Sequence, residues 1–149
     1  MGARVTAVVA TQHLELARSL GAERVIDYTK EDFTRIGETF DGVLDAVGKT
    51  TYLRCRRLLK PQAMFVGTDM GPYGQTLMFT LWRSLTGRGR VGVPIPKNVP
   101  GFVDMLKARM EAGQFRAIID RRYPLDAIAD AYRYVEKGQK TGIVIIDVR

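Results

Sequence analysis

At 149 residues the chain fits one domain spanning residues 1–149, and its 46% hydrophobic and 26% charged content is too apolar for a disordered protein. One cysteine, Cys55, excludes an internal disulfide framework, and with a single histidine, His13, it leaves no zinc ligand set. No apolar run reaches the ~20 residues needed to span a bilayer, and no signal peptide is apparent, so the expected location is cytoplasmic. The net charge of +7 is scattered rather than striped, which disfavours nucleic acid and membrane partners.

Val5-Thr6-Ala7-Val8-Val9 is a β-branched run that predicts a buried parallel strand. Leu14, Ala17 and Leu20 then recur at helical spacing until Gly21 supplies a left-handed stop. Val25 to Tyr28 predicts a second strand, Thr29 to Asp32 a helical turn, and Gly42 to Gly48 a third strand. Thr50 is placed to cap a helix carrying Leu53, Leu58 and Leu59, with Pro61 closing it, and Ala63 to Gly67 is the fourth strand. Thr76 to Leu85 reads as a helix. Val91 to Pro96 is extended, and its two prolines confine it to a sheet edge. Phe102 to Met110 is a helix ending at Gly113, Ala117 to Asp120 a short strand, Asp126 to Glu136 a helix stopped by Gly138, and Gly142 to Val148 the last strand.

This alternation predicts an α/β domain with a mostly parallel sheet. Ligands of such sheets lie beyond the carboxyl ends of the strands, which singles out the loops after Val9, Tyr28, Val47 and Val66. Two of them contain Gly48 and Gly67, where bare backbone either lies against a ligand or makes a tight turn.

The ordered strings LARSLGA, VIDY, DGVLDAVG (41–48), LLKP (58–61), MFVG (64–67) and the nearly continuous run from Leu106 to Val148 resemble the cofactor-binding half of the medium-chain dehydrogenase/reductase superfamily. The likeness is to its quinone-oxidoreductase-like, zinc-independent branch. It implies a Rossmann-like, doubly wound sheet, from which the first strand and its glycine-rich loop are absent here, as is the substrate domain. No G-x-G-x-x-G run is present; Gly87-Arg88-Gly89, the nearest glycine cluster, does not follow a strand. Since that first strand is central, the Val5–Val9 and Val43–Val47 strands are expected either to pair directly or to take a complementing N-terminal chain between them.

The resemblance further implies binding of NADP, with NAD the alternative, and transfer of hydride to a quinone or an activated enone. Thr11 and Gln12 would meet the adenosine ribose and its 2′-phosphate, and Tyr28 would lie beside that phosphate. Ala46, Val47 and Gly48 would pass under the second ribose, Val66 and Gly67 would flank the nicotinamide, and Lys140 would reach the phosphate. Gln12 stands where NADPH-preferring members commonly carry a basic residue, and Ala10 where they carry serine. No acidic residue ends the first strand to hold an NAD ribose. No residue is an obvious proton donor, so no catalytic residue is assigned.

The bland readings make His13 a surface residue, Cys55 a small packing residue despite Arg54 and Arg56 beside it, and Asp27, Asp41 and Asp45 turn residues. Trp82, Phe79 and Tyr73 read as core or interface packing rather than a cofactor lid. The rival functional reading is a non-catalytic association module, with Val91, Val93 and Ile95 forming one apolar face of a homodimer edge.

Overall fold

A computed structural model describes residues 2–69, 74–86, 90–94 and 99–148, apart from the Arg83 side chain. The chain divides into two compact units between residues 95 and 96.

In the first unit, β1 (Thr6–Val9) runs through a 3-10 turn into α1 (Leu14–Ser19) and returns as β2 (Arg24–Asp27), parallel to β1 in the register Thr6 to Arg24 through Val9 to Asp27. Gly21 ends the helical segment at φ +94°, and the Ala22 amide reaches back to the Ala17 carbonyl at 3.2 Å, as the left-handed stop requires. The chain turns over residues 28–30, where the Lys30 and Glu31 amides donate to the Asp27 carbonyl at 3.0 Å; the 3-10 turn comes later than the expected Thr29–Asp32, at Phe33–Arg35, because the Asp32 carboxylate caps it and accepts from the Thr34 amide.

β3 (Phe40–Asp45), β4 (Leu59–Gly67) and β5 (Val91–Gly92) form a parallel three-stranded sheet in that order. Between β3 and β4 the capping residue is Thr51, not Thr50. Its hydroxyl accepts from the Arg54 amide and starts the single turn α2 (Tyr52–Cys55). Pro61 does not close a helix either. Leu59 is already in β4, and the register jumps from Phe40–Leu59 to Gly42–Met64, so Lys60, Pro61, Gln62 and Ala63 fall in a bulge, where a strand tolerates a residue without an amide hydrogen.

The sheet is held by an apolar cluster of Cys55, Leu59, Ala63, Phe65 and Val91, of which Phe65 and Val91 are 1% exposed. Tyr52 meets Phe65 and Phe79 edge-on, with ring centroids 6.3 and 5.4 Å away, which favours the aromatic quadrupoles. Phe79 comes from α3 (Gln75–Thr86). Val91 therefore faces the chain's own core, and the expected dimer edge loses its first residue. Val93 is exposed, and Ile95 and Pro96 lie outside the described residues.

Direct pairing of β1 with β3 does not occur: they lie in separate hydrogen-bonded sheets, β1–β2 and β3–β4–β5. The expectation of a buried first strand fails with it, since Val5 and Val8 are exposed.

In the second unit, α4 (Val99–Glu111) precedes a parallel β–α–β unit of β6 (Ile119–Pro124), α5 (Ile128–Glu136) and β7 (Ile143–Asp147). The strand predicted over Ala117–Asp120 thus starts two residues later, at Ile119, and continues through Arg121 to Pro124. The Asp120 carboxylate gathers this unit. It accepts from the Thr141 amide at 2.6 Å, from Arg121 Nε at 2.9 Å and from the Tyr134 hydroxyl at 3.0 and 3.2 Å. The Arg121 guanidinium also lies 3.6 Å from the centroid of the Tyr134 ring.

Candidate cofactor site

Two carboxylates organise the carboxyl ends of the strands in the first unit, and neither was among the residues expected to bind a cofactor. At the end of β2, buried Asp27 accepts from the Thr11 hydroxyl at 2.6 Å, from the Thr29 hydroxyl at 2.6 Å and from the Thr29 amide at 3.0 Å. The two hydroxyl oxygens are 3.0 Å apart, and Lys30 Nζ is 3.7 Å from the carboxylate. The Thr11 hydroxyl, and after it that of Thr29, hold the Asp27 carboxyl below the ordinary range, against the opposing effect of burial. Thr11 is thereby fixed at the mouth of β1. Gln12 is exposed beside it, with its Nε2 3.2 Å from His13 Nε2. Exposed Tyr28 is held by its amide, which donates to the Val9 carbonyl at 3.1 Å.

At the end of β3, buried Asp45 cages the following loop. Its carboxylate accepts from the amides of Val47 at 3.1 Å, Gly48 at 3.0 Å and Thr50 at 3.1 Å. The Thr68 amide and hydroxyl donate to the Asp45 carbonyl, at 3.1 and 3.2 Å, and tie the loop after β4 to the loop after β3. Ala46, Val47, Gly48, Val66 and Gly67 are brought together in this way.

The two glycines are constrained to different degrees. Gly48 has φ +68°, and a Cβ on it would stand 1.6 Å from an Asp69 carboxylate oxygen. At Gly67 a Cβ would press on buried Thr76, at 3.2 and 3.3 Å from its side-chain atoms. The space beside the Gly48 backbone is thus taken by the chain's own Asp69, and the glycine serves a tight turn with a close internal approach. Thr29, Asp69 and Thr76 also shape these loops and were not singled out in the sequence, while Asp27 and Asp45, read there as turn residues, do accept from the amides of the residues that follow them. The signal available was the position of Asp27 and Asp45 at strand ends, each followed within five residues by a threonine or glycine.

Lys140 belongs to the second unit, where its ammonium donates to the Gly142 carbonyl at 2.8 Å. Cys55 is fully buried with its sulfur 3.4 Å from the Thr50 hydroxyl, and burial pushes the thiol up despite Arg54. It is a packing residue. Phe79 packs on the core while Trp82 stays exposed, and Tyr73 and the Gly87–Gly89 cluster lie outside the described residues. Among the described residues no three His, Cys, Asp or Glu side chains group as metal ligands, and no helix is long and apolar enough to cross a membrane.

The family profile of zinc-binding dehydrogenases matches residues 20–146. The chain is 28% identical over 145 residues to the NADPH-dependent alkenal/one oxidoreductase of the Arabidopsis thaliana chloroplast, covering 96% of this chain and 33% of that protein. It is 30% identical over 145 residues to the 2-methylene-furan-3-one reductase of Solanum lycopersicum, with the same coverage. Among solved structures, the quinone oxidoreductase of Coxiella burnetii superposes with a TM-score of 0.81 at 23% identity, over 99% of this chain and 46% of that one. The chain therefore spans between a third and a half of the length of these proteins.

Proposed function

Because this chain belongs to the zinc-binding dehydrogenase family, we propose that it is the nicotinamide-dinucleotide-binding part of a reductase acting on quinones or activated enones. The observation that carries this reading is the likeness to such reductases over 96% or more of the chain. The place of Gly48 fits it: the loop it belongs to follows the carboxyl end of a parallel strand, where such sheets take their ligands. In this reading Thr11, Gln12 and Tyr28 receive the adenosine ribose, Ala46, Val47 and Gly48 the second ribose, and Val66 and Gly67 the nicotinamide. A reduced nicotinamide, when bound, supplies the hydride. The chain's own part is to orient the ring and hold the loops, with Asp27 and Asp45 as the positioning carboxylates.

The finer choice is NADP, supported by the name of the Arabidopsis relative and by Gln12, which can donate to a phosphate without repelling it. The reading further takes the chain as one cofactor-binding domain of a cytoplasmic protein, weakly active or inactive by itself. Titration with NADPH and NADH, followed by nicotinamide fluorescence and melting temperature, tests it. NADPH binding in the micromolar range, tightened up to about fivefold by Gln12→Lys with NADH unaffected, is the expected result, corresponding to the ~1 kcal/mol ceiling of an exposed ion pair. No binding of either cofactor at millimolar concentration would count against it.

One observation favours the rival reading of an association module. Leu77, Met78, Leu81, Trp82 and Leu85 form an exposed apolar stripe along α3. A monomer by light scattering at high concentration would remove that reading.

A further inference from the structure

The hydrogen bonds at the mouth of β1 leave one requirement of a phosphorylated ribose unmet. The Thr11 hydroxyl donates to Asp27 Oδ2 at 2.6 Å, so toward a ligand it offers lone pairs and no proton. A ribose hydroxyl is a fitting partner for it; a phosphate, which needs donors and positive charge, is not. Gln12 donates from a neutral amide. The charge must come from another position.

The turn after β2 delivers one. The Lys30 amide donates to the Asp27 carbonyl at 3.0 Å, closing a tight turn that brings residue 30 back to the end of the strand. Its ammonium stands 3.7 Å from Asp27 Oδ2, the same oxygen that Thr11 donates to at 2.6 Å. Two contacts sharing one oxygen hold the Thr11 hydroxyl and the Lys30 ammonium no farther apart than their sum. Nor does Asp27 tie the lysine down. The pair is longer than a hydrogen bond and the Lys30 side chain is 68% exposed, so little is lost when the ammonium swings to another anion. The other Lys and Arg side chains between residues 4 and 35 are held elsewhere. Arg4 pairs with Glu23 and Arg24 with Glu38 at the amino ends of β1 and β2, Arg18 pairs with Glu15 along α1, and Arg35 pairs with Asp32 in the later turn.

We infer that Lys30 is the specificity-determining residue that recognises a 2′-phosphate on the adenosine ribose, supplying from the turn after β2 the charge that Gln12 lacks. Such a ribose presents both partners on adjacent carbons: its 3′-hydroxyl donates to Thr11, and its 2′-phosphate accepts from Lys30. The inference rests on the proposed cofactor reading and deepens it, because it places the choice of NADP over NAD in residue 30, with Gln12 a neutral second donor. Asp27 sets the strength of that choice. Its carboxylate is buried and filled by Thr11, the Thr29 hydroxyl and the Thr29 amide, yet it competes with the phosphate for the same ammonium.

Titration of the full chain at low salt with NADPH, NADH, adenosine 2′,5′-bisphosphate and adenosine 5′-monophosphate tests it. Lys30→Met should weaken NADPH and the bisphosphate by about fivefold, the ceiling of an exposed ion pair, and leave NADH, the monophosphate and the melting temperature unchanged. Lys30→Arg should keep the preference, and Gln12→Lys in the Lys30→Met chain should restore it. Added salt should narrow the gap between the original chain and Lys30→Met. Arg18→Gln, which removes the same charge from α1, should alter none of the four affinities. Equal weakening of NADPH and NADH by Lys30→Met, an unchanged bisphosphate affinity, or the same loss from Arg18→Gln would overturn the assignment. So would a loss seen with His13→Gln and not with Lys30→Met, which would give the phosphate to the imidazole beside Gln12. The nucleotides without nicotinamide separate the two claims. A Lys30-dependent bisphosphate preference with neither dinucleotide bound keeps Lys30 and counts against the proposed function. Dinucleotide binding indifferent to Lys30 does the reverse, and binding of none of the four overturns both.

Discussion

Around Phe65 the first unit buries Cys55, Leu59, Ala63 and Val91, whereas around Asp120 the second unit buries, among its described residues, only Ala131, and gathers an amide, a guanidinium and a phenol onto one carboxylate. Both sheets are parallel, so strand pairing is not what separates them. The first depends on apolar area removed from water, which is non-directional and indifferent to pH. The second depends on directed hydrogen bonds to a charge, which are sensitive to geometry and to acid. Two short parallel sheets in one chain should therefore fail under different insults.

Phe65→Ala should produce the largest effect, about 3–5 kcal/mol of lost stability, seen as a fall in the melting temperature. Its exchange signature should be confined to β3, β4 and β5. Equal loosening of β6 and β7 would break the comparison.

Next comes Gly142→Ala. The residue has φ +97°, and a Cβ would stand 2.2 Å from the Ile118 carbonyl oxygen, beside the 2.8 Å bond from the Ile143 amide to that same oxygen. Backbone strain alone should cost about 1–3 kcal/mol, and exchange should rise across β6 and β7 while the Phe65 core keeps its protection.

Acid should sharpen the contrast without a mutation. The Thr141 amide, and after it Arg121, hold the Asp120 carboxyl below its usual value of 3.8. A group whose folded pKa is depressed contributes stability above its unfolded pKa and loses it as pH falls through the folded one. Amide protection of β6 and β7 should accordingly be complete at pH 6 and decline below about pH 4. Asp27, Asp32 and Asp41 are lowered too, by Thr11, Thr34 and Lys60 respectively, so the loops of the first unit should loosen over the same range. Protection of Phe65 and Val91 should persist; its loss in step with β6 and β7 would show that one carboxylate-dependent unit had been mistaken for two. The smallest effect belongs to Thr51→Ala, which removes the cap of a four-residue helix and should cost about 1 kcal/mol by denaturant titration.

The strand and helix order was legible because periodicity and glycine stops are local signals, and Gly21, Gly113 and Gly138 all have the positive φ that a left-handed stop implies. What was not legible involves partners distant in sequence. Whether Val91 faces a copy or its own core depends on Phe65, 26 positions earlier, and Thr11 is fixed by a carboxylate 16 positions later. Pro61 misled for a different reason: a proline after a leucine-rich stretch reads as a helix stop, and only the register jump in β4 reveals a bulge. The strand-end loops were singled out from the parallel-sheet pattern alone. The carboxylates that shape them were taken as mere turn residues, since an aspartate accepting amides from its own loop has the same local pattern whether or not a ligand follows.

A count of protons at the mouth of β1 gives Asp27 a character that its distances alone do not. Thr11, Thr29 and the carboxylate make three mutual contacts, yet the two hydroxyls own only two protons, and both are directed at the ionised carboxylate. The contact between the hydroxyls is left with none, and Lys30 answers the surplus of lone pairs with charge. An asparagine at position 27 would reverse this. Its amide would donate to Thr11, Thr11 to Thr29 and Thr29 to the remaining oxygen, closing the ring while leaving Lys30 without its counter-ion. Asp27→Asn exchanges an open, charged triangle for a closed, neutral one of the same shape.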